Sequence, residues 1–148
     1  MKKIFFFILL PILGIAQNSN LDKKNGWAHF KFGTPPSHYE NLTLEMEEKN
    51  TKLYSVNQPK INIDGVDFEY IQLTFHFNKL AIISLKTKNA SEDKFLKILK
   101  ENFGPPIKSN LSEKVFEWSG HKVLLTFGDN GFMKDATVDF YYKDSYKK

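Results

Sequence analysis

The stretch INIDGVDFEYIQLTFHF, Ile61 to Phe77, constrains the fold more than any other part of the chain. Apolar and polar residues alternate on both sides of Asp64-Gly65. Alternation with a period of two marks a strand with one buried face. Asp-Gly between two such runs marks a two-residue hairpin, whose turn residues must both take positive φ. That turn fixes a register in which Ile63 faces Val66 and Ile61 faces Phe68. The second strand is long, and its apolar parity changes midway. Val66, Phe68 and Tyr70 are even, whereas Ile71, Leu73, Phe75 and Phe77 are odd. A regular strand cannot hold both sets on one face, so the pattern predicts a bulge or bend near Tyr70-Ile71. Asn78-Lys79 then turns the chain into LAIISLKT.

SEDKFLKILKENFG predicts the principal helix, over about 91–103. Ser91 can cap its start, and Glu92 and Asp93 complement the positive end of its dipole. Phe95, Ile98, Leu99 and then Asn102 or Phe103 recur at helical spacing, with Lys94, Lys97 and Lys100 opposite. Gly104 supplies the left-handed stop and Pro105 forbids another turn. Upstream, WAHFKF reads as one short strand ended by GTPP. Leu42 to Val56 reads as a hairpin about EEKN; a helix over 37–49 is the alternative, because Glu, Leu and Met also suit helices. Downstream, FEWSGHKV suggests a turn at Ser119-Gly120, with Trp118 facing His121 and Phe116 facing Val123. GDNGF suggests a turn at Asn130-Gly131, with Asp129 facing Phe132, so that Leu125 meets Ala136 and Val123 meets Val138. Phe116, Val123 and Val138 then form one row. Val123, Leu125, Phe127, Ala136, Val138 and Phe140 share the face on which the helix sits.

The expected class is α+β: mostly antiparallel β-meanders with one principal helix packed on one sheet face, in a single domain over 27–142. Three pairs of phrases echo one another: FGTPP and FGPP, TKLY and EKVF, QLTFHFN and LLTFGDN. They suggest two meander halves joined by the helix. Their unequal spacing argues against a strict tandem repeat and leaves divergent duplication open.

MKKIFFFILLPILGIA, residues 1–16, reads as a secretory signal peptide: Lys2 and Lys3, an apolar run from Ile4 to Ile15, and small residues at Gly14 and Ala16. A spanning helix needs about 20 apolar residues, and this shorter run contains Pro11. Residues 17–26 read as a flexible lead-in and 143–148 as a frayed tail. The expected location is the periplasm or the cell exterior. Abundant Lys, Asn, Ile and Phe, with the form of the signal, suggests a bacterial source. The chain has no cysteine, which excludes a disulfide framework, a catalytic thiol and a lipid-modified cysteine. Removing Lys2 and Lys3 from the 21 basic residues leaves 19 against 17 acidic ones, a net charge of +2. Every basic residue is lysine. Arginine's planar fork is the favoured tool for phosphate and base-edge recognition, so specific nucleic-acid binding is not expected. Nor is a membrane span after cleavage.

Over about 32–142 this element order resembles small exported bacterial proteins built from a helix and an antiparallel meander. The β-lactamase-inhibitor-like proteins and the small outer-membrane assembly lipoproteins are examples. The resemblance implies a binding or envelope role rather than catalysis. The lack of a lipid-site cysteine is a departure from the lipoproteins.

The four histidines, His29, His38, His76 and His121, lack the close spacing of a zinc helix. His38 with Glu40 has no identifiable third ligand. His76, between Phe75 and Phe77, is expected to face away from them beside Gln72 and Thr74. No metal or other cofactor is expected. Asp67 and Glu69 share a strand face like a paired acid and base. They carry the alternative reading, a small carboxylate-dependent hydrolase acting on envelope glycans or peptides. Asp64 and Asp129 read as turn residues. GDNGFMKD lacks the alternating oxygen ligands and final Glu of an EF-hand. Neither GxSxG nor a glycine-rich phosphate loop is present. Glycosylation acceptor patterns at Asn41, Asn89 and Asn110 are chance matches in an asparagine-rich bacterial chain. The candidate binding residues are aromatic: Trp27, Tyr39, Tyr54, Trp118 and Tyr141, which can line a cleft or contact face. The leading expectation is an exported non-enzymatic domain that binds a protein or cell-envelope component. A purely structural or protective envelope component is a third reading.

Overall fold

A computed structural model describes residues 20–57, 61–88, 92–130 and 135–146. Residues 1–16, read above as a signal peptide, the proposed cap Ser91 and the last two residues lie outside that set. A short helical segment α1, residues 20–24, precedes two strands of two residues each, β1 (Gly26–Trp27) and β2 (Phe30–Lys31). The strands of the main sheet then follow in chain order. They are β3 (Leu42–Glu48), β4 (Thr51–Val56), β5 (Ile61–Ile63), β6 (Val66–His76) and β7 (Lys79–Thr87). The helix α2 (Glu92–Phe103) intervenes before β8 (Lys108–Asn110), β9 (Val115–Ser119), β10 (Val123–Asn130) and β11 (Asp135–Tyr142). The fold is α+β and antiparallel, as the residue pattern implies.

The nine-stranded sheet runs β3-β4-β6-β7-β11-β10-β9-β8, and β5 pairs with the start of β6. Two meanders therefore lie side by side, each contributing its last strand to the central β7–β11 pair. Two of the echoed pairs fall at matching places: TKLY on β4 and EKVF running into β9, QLTFHFN running out of β6 and LLTFGDN on β10.

The Asp64-Gly65 hairpin has the expected register, Ile63 opposite Val66 and Ile61 opposite Phe68. Both turn residues have positive φ, 54° and 74°. The parity change in β6 is a bulge between Phe68 and Tyr70, one residue before the expected point. It keeps Val66 and Phe68 buried on one side of it and Ile71, Leu73 and Phe75 buried on the other. Leu42 to Val56 is a hairpin, with β3 paired to β4 and a bulge between Leu44 and Met46.

In α2, Phe95, Leu99 and Phe103 are buried, while Lys94, Lys97 and Lys100 face solvent. Phe95 meets Phe68 edge-on at 5.1 Å, and Phe103 meets Phe140 at 6.1 Å. Burying each of these side chains contributes about 1.5–3 kcal/mol. Gly104 has φ +76°, and its amide donates to Lys100 O at 2.8 Å, which closes the last turn.

Four expectations are corrected. WAHFKF is not one strand: Ala28 (φ 50°) turns the chain so that Trp27 pairs with Phe30. A straight strand would send Trp27 and Phe30 to opposite sides; the turn buries both, together with Phe32. Residues 20–26 are not a loose lead-in. Leu21 is buried in the core, and the Asp22 carboxylate accepts from the amides of His121 (2.7 Å), Lys122 (2.9 Å) and Val123 (3.0 Å). That contact also explains the third correction. The β9–β10 connection wraps Asp22, so Leu125 faces Trp118 and Phe127 faces Phe116, four positions from the two-residue-turn register. Likewise Leu125 faces Phe140, and Asp129 pairs with Ala136 rather than turning the chain. Both shifts are even, so the buried faces survive, and the row is Phe116, Phe127 and Val138. Fourth, residues 143–146 form a 3-10 turn, with Lys143 Nζ donating to Ser119 Oγ and Gly120 O, both at 2.6 Å.

Candidate functional site

The two faces of the sheet differ in what covers them. Side chains of α2, β1 and β2 join one face in a single core: Trp27 stacks on Phe140 at 5.7 Å, and Phe32 on Tyr142 at 5.5 Å. Alternation along each strand sends the intervening residues to the other face, which no described element covers. The ladder aligns them in rows. Leu53 faces Thr74, Thr74 faces Ile82, Ile82 faces Tyr141 and Tyr141 faces Leu124. This row crosses five neighbouring strands and carries four large apolar side chains, all half-buried. The next row is polar: Ser55, Gln72, Ser84, Asp139, Thr126 and Glu117. An apolar stripe edged by hydroxyl, amide and carboxylate groups resembles a contact surface in composition, since one end of such a surface is dry and its rim is wet.

The aromatic candidates divide around this geometry. Tyr141 lies in the apolar row. Tyr54 is half-buried on the opposite, core side, edge-on to Phe75 at 5.4 Å. Tyr39 is half-buried against Phe30 and Phe75, and its hydroxyl pairs with Thr34 and accepts from Lys31 N at 2.9 Å. Trp27 and Trp118 are 4% and 1% exposed. That is a correction: they are core residues, not surface contacts. Trp118 Nε1 donates to Gly104 O at 2.8 Å, which ties the helix stop to β9. Trp27 Nε1 is buried without a hydrogen-bond partner. Leu53, Ile82 and Leu124 were not singled out in the sequence. Their signal was present as the apolar minority on the wrong parity of otherwise amphipathic strands.

At one end of the open face, beside the sheet edge, lies a cleft of about 330 Å³ lined by Met46, Glu48, Lys49, Asn50, Thr51 and His76. His76 points away from Phe75, as expected, and its Nδ1 lies 3.1 Å from Thr51 Oγ. Phe77 follows at a tight turn with φ 46° and 64% exposure.

The carboxylates do not converge on a common reacting point. Asp67 accepts from Asn62 Nδ2 at 2.7 Å, whereas Glu69, thrown outward at the bulge, pairs with Lys86 at 2.8 Å. Lys86 also reaches Asp135 at 3.2 Å. Hydrogen bonds to Glu69 and then Asp135 raise its pKa above the usual 10.5. Asp64 is the turn residue expected. Asp129 is not: its side chain points inward, 2% exposed, and pairs with Lys114 at 2.7 Å. The hydrogen bond from Lys114 to Asp129 raises the lysine pKa. Among the described residues, no group of three or more His, Asp or Glu side chains is placed to hold a metal ion. Among them, too, no helix is long and apolar enough to cross a membrane.

Fold and surface together define an α+β domain with an antiparallel sheet covered on one face. Comparison with protein-family models, curated proteins and solved structures finds no match for the chain.

Proposed function

We propose that the chain is an exported, non-enzymatic domain that binds a protein or cell-envelope component through the uncovered face of its sheet. The observation that carries this reading is the apolar row Leu53, Ile82, Tyr141 and Leu124, which lies beside a polar row on the same face. Apolar groups that lie next to one another on an uncovered surface gain from a partner that removes them from water. Export is supported by the form of residues 1–16, and a binding role agrees with the element-order resemblance.

The test is affinity capture from envelope extract with the mature chain and with Ile82→Glu, the fold of the variant being checked by circular dichroism. A partner recovered by the parent and lost by the variant supports the reading. The same recovery with both, or only abundant background proteins at several salt concentrations, contradicts it.

A further inference from the structure

We infer that the β3 edge of the sheet receives an extended peptide segment carrying lysine or arginine, added as a further strand with one basic side chain in the neighbouring cleft. This rests on the binding reading above and names the chemistry of the partner. β3 is the outermost strand on its side of the sheet and runs for seven residues, against three for β8 at the opposite edge. The outward N–H and C=O groups of such a strand are a template for pairing. Leu44 and Met46 are exposed along it, at 46% and 48%.

The occupant follows from charge. Glu45, Glu47 and Glu48 lie within or at the end of this edge. Glu45 accepts from Ser55 Oγ and Glu47 pairs with Lys52 at 3.1 Å, whereas Glu48 has no described partner and lines the cleft. A second copy of the chain is a poor occupant. Antiparallel self-pairing about Glu45 would set Glu45 directly opposite its own copy, with Glu47 and Glu48 of both copies on the same ladder, and like charges across a pair repel. The bulge between Leu44 and Met46 interrupts regular pairing at this edge for any partner, so an added strand pairs with the stretches on either side of it. A basic segment does not meet the charge repulsion. Met46 offers a surface for the methylenes of a lysine, and Glu48 offers a carboxylate for its ammonium, in a lining that also holds Lys49.

The probe is an end-blocked peptide of alternating valine and lysine, with a valine–glutamate peptide as its counterpart. Both are titrated into the labelled mature chain and into Glu48→Lys while amide resonances are followed. The expected result is saturable shifts confined to Leu42–Glu48 and the cleft. The glutamate peptide should bind about tenfold more weakly or worse, and Glu48→Lys should weaken the lysine peptide by a similar factor. Equal binding of both peptides, shifts centred on the apolar row or on β8, or no saturation by about 10 mM overturns the inference. If the peptide fails while capture still depends on Ile82, strand addition falls and the binding face stands. If capture itself fails, the broader reading falls on its own evidence.

Discussion

Replacing Asp22 tests how the ends of the chain are fastened. Its carboxylate accepts from three consecutive amides at 2.7, 2.9 and 3.0 Å across about a hundred residues of sequence. A hydrogen bond to a charged group contributes about 1.5–3 kcal/mol where water is excluded. The Val123 amide lies in such a place; those of His121 and Lys122 are exposed and regain water when the carboxylate goes. Counting one full bond and two weakened ones gives roughly 3 kcal/mol for Asp22→Ala. Gly120 supplies the second arm of the experiment. A Cβ there would lie 2.7 Å from Asp22 Cγ, although the Gly120 backbone is one that other residues can adopt. Gly120→Ala should therefore cost about 2 kcal/mol in the parent, by overpacking, and close to nothing once Asp22 is alanine. Urea unfolding of the four proteins, followed by circular dichroism, yields the coupling as a double-mutant cycle. The expected coupling is about 2 kcal/mol, with the double variant nearly as stable as Asp22→Ala alone. Additive costs, or a loss below about 0.5 kcal/mol for Asp22→Ala, would refute the claim that Asp22 organises this loop.

Other outcomes follow from single positions. Gly104→Ala places a side chain at φ +76° and should lower stability by about 1–2 kcal/mol in urea unfolding; no loss means the helix stop tolerates another conformation. Phe77→Asn should raise stability by about 0.5–1 kcal/mol, because asparagine tolerates the left-handed turn at φ 46° and the Phe77 ring is mostly exposed. A loss greater than about 1 kcal/mol would show that the exposed ring is structurally needed. His29, exposed at the surface, lies tilted against Phe30 at 4.0 Å, and partial desolvation, then Lys31, lowers its pKa below 6.5. The native state thus favours neutral His29, so its contribution is full above pH 6.5 and is lost as pH falls through the lowered value. Unfolding between about pH 7.5 and 5 should weaken the parent more than His29→Gln; parallel profiles would contradict the assignment.

What the sequence disclosed depended on how local the information was. The Asp64-Gly65 hairpin, the β6 bulge and α2 are specified within a dozen residues of themselves, by turn chemistry and periodicity. The β9–β10 and β10–β11 registers are not. Loop length there depends on Asp22, a partner far away in sequence, and on a longer connection after Asn130. Parity nevertheless survived, because hydrophobic alternation fixes the buried face even when register slips by an even number. The site was harder to read. Tryptophan and tyrosine share one apolar body and one polar handle, so composition alone does not separate buried Trp118, satisfied by Gly104 O, from surface-facing Tyr141. The apolar row depends on pairing between strands from both halves, and only the assembled sheet brings Leu53, Ile82, Tyr141 and Leu124 together.

The most direct test of the open face as the binding surface is photo-crosslinking in intact cells of the source organism, with benzoylphenylalanine at position 141 or at position 97. Lys97, on the outer side of α2, is 77% exposed in its side chain and controls for simple accessibility. Specific adducts from position 141 and none from position 97 are predicted. Adducts of equal yield from both positions, or none from position 141, would contradict the account.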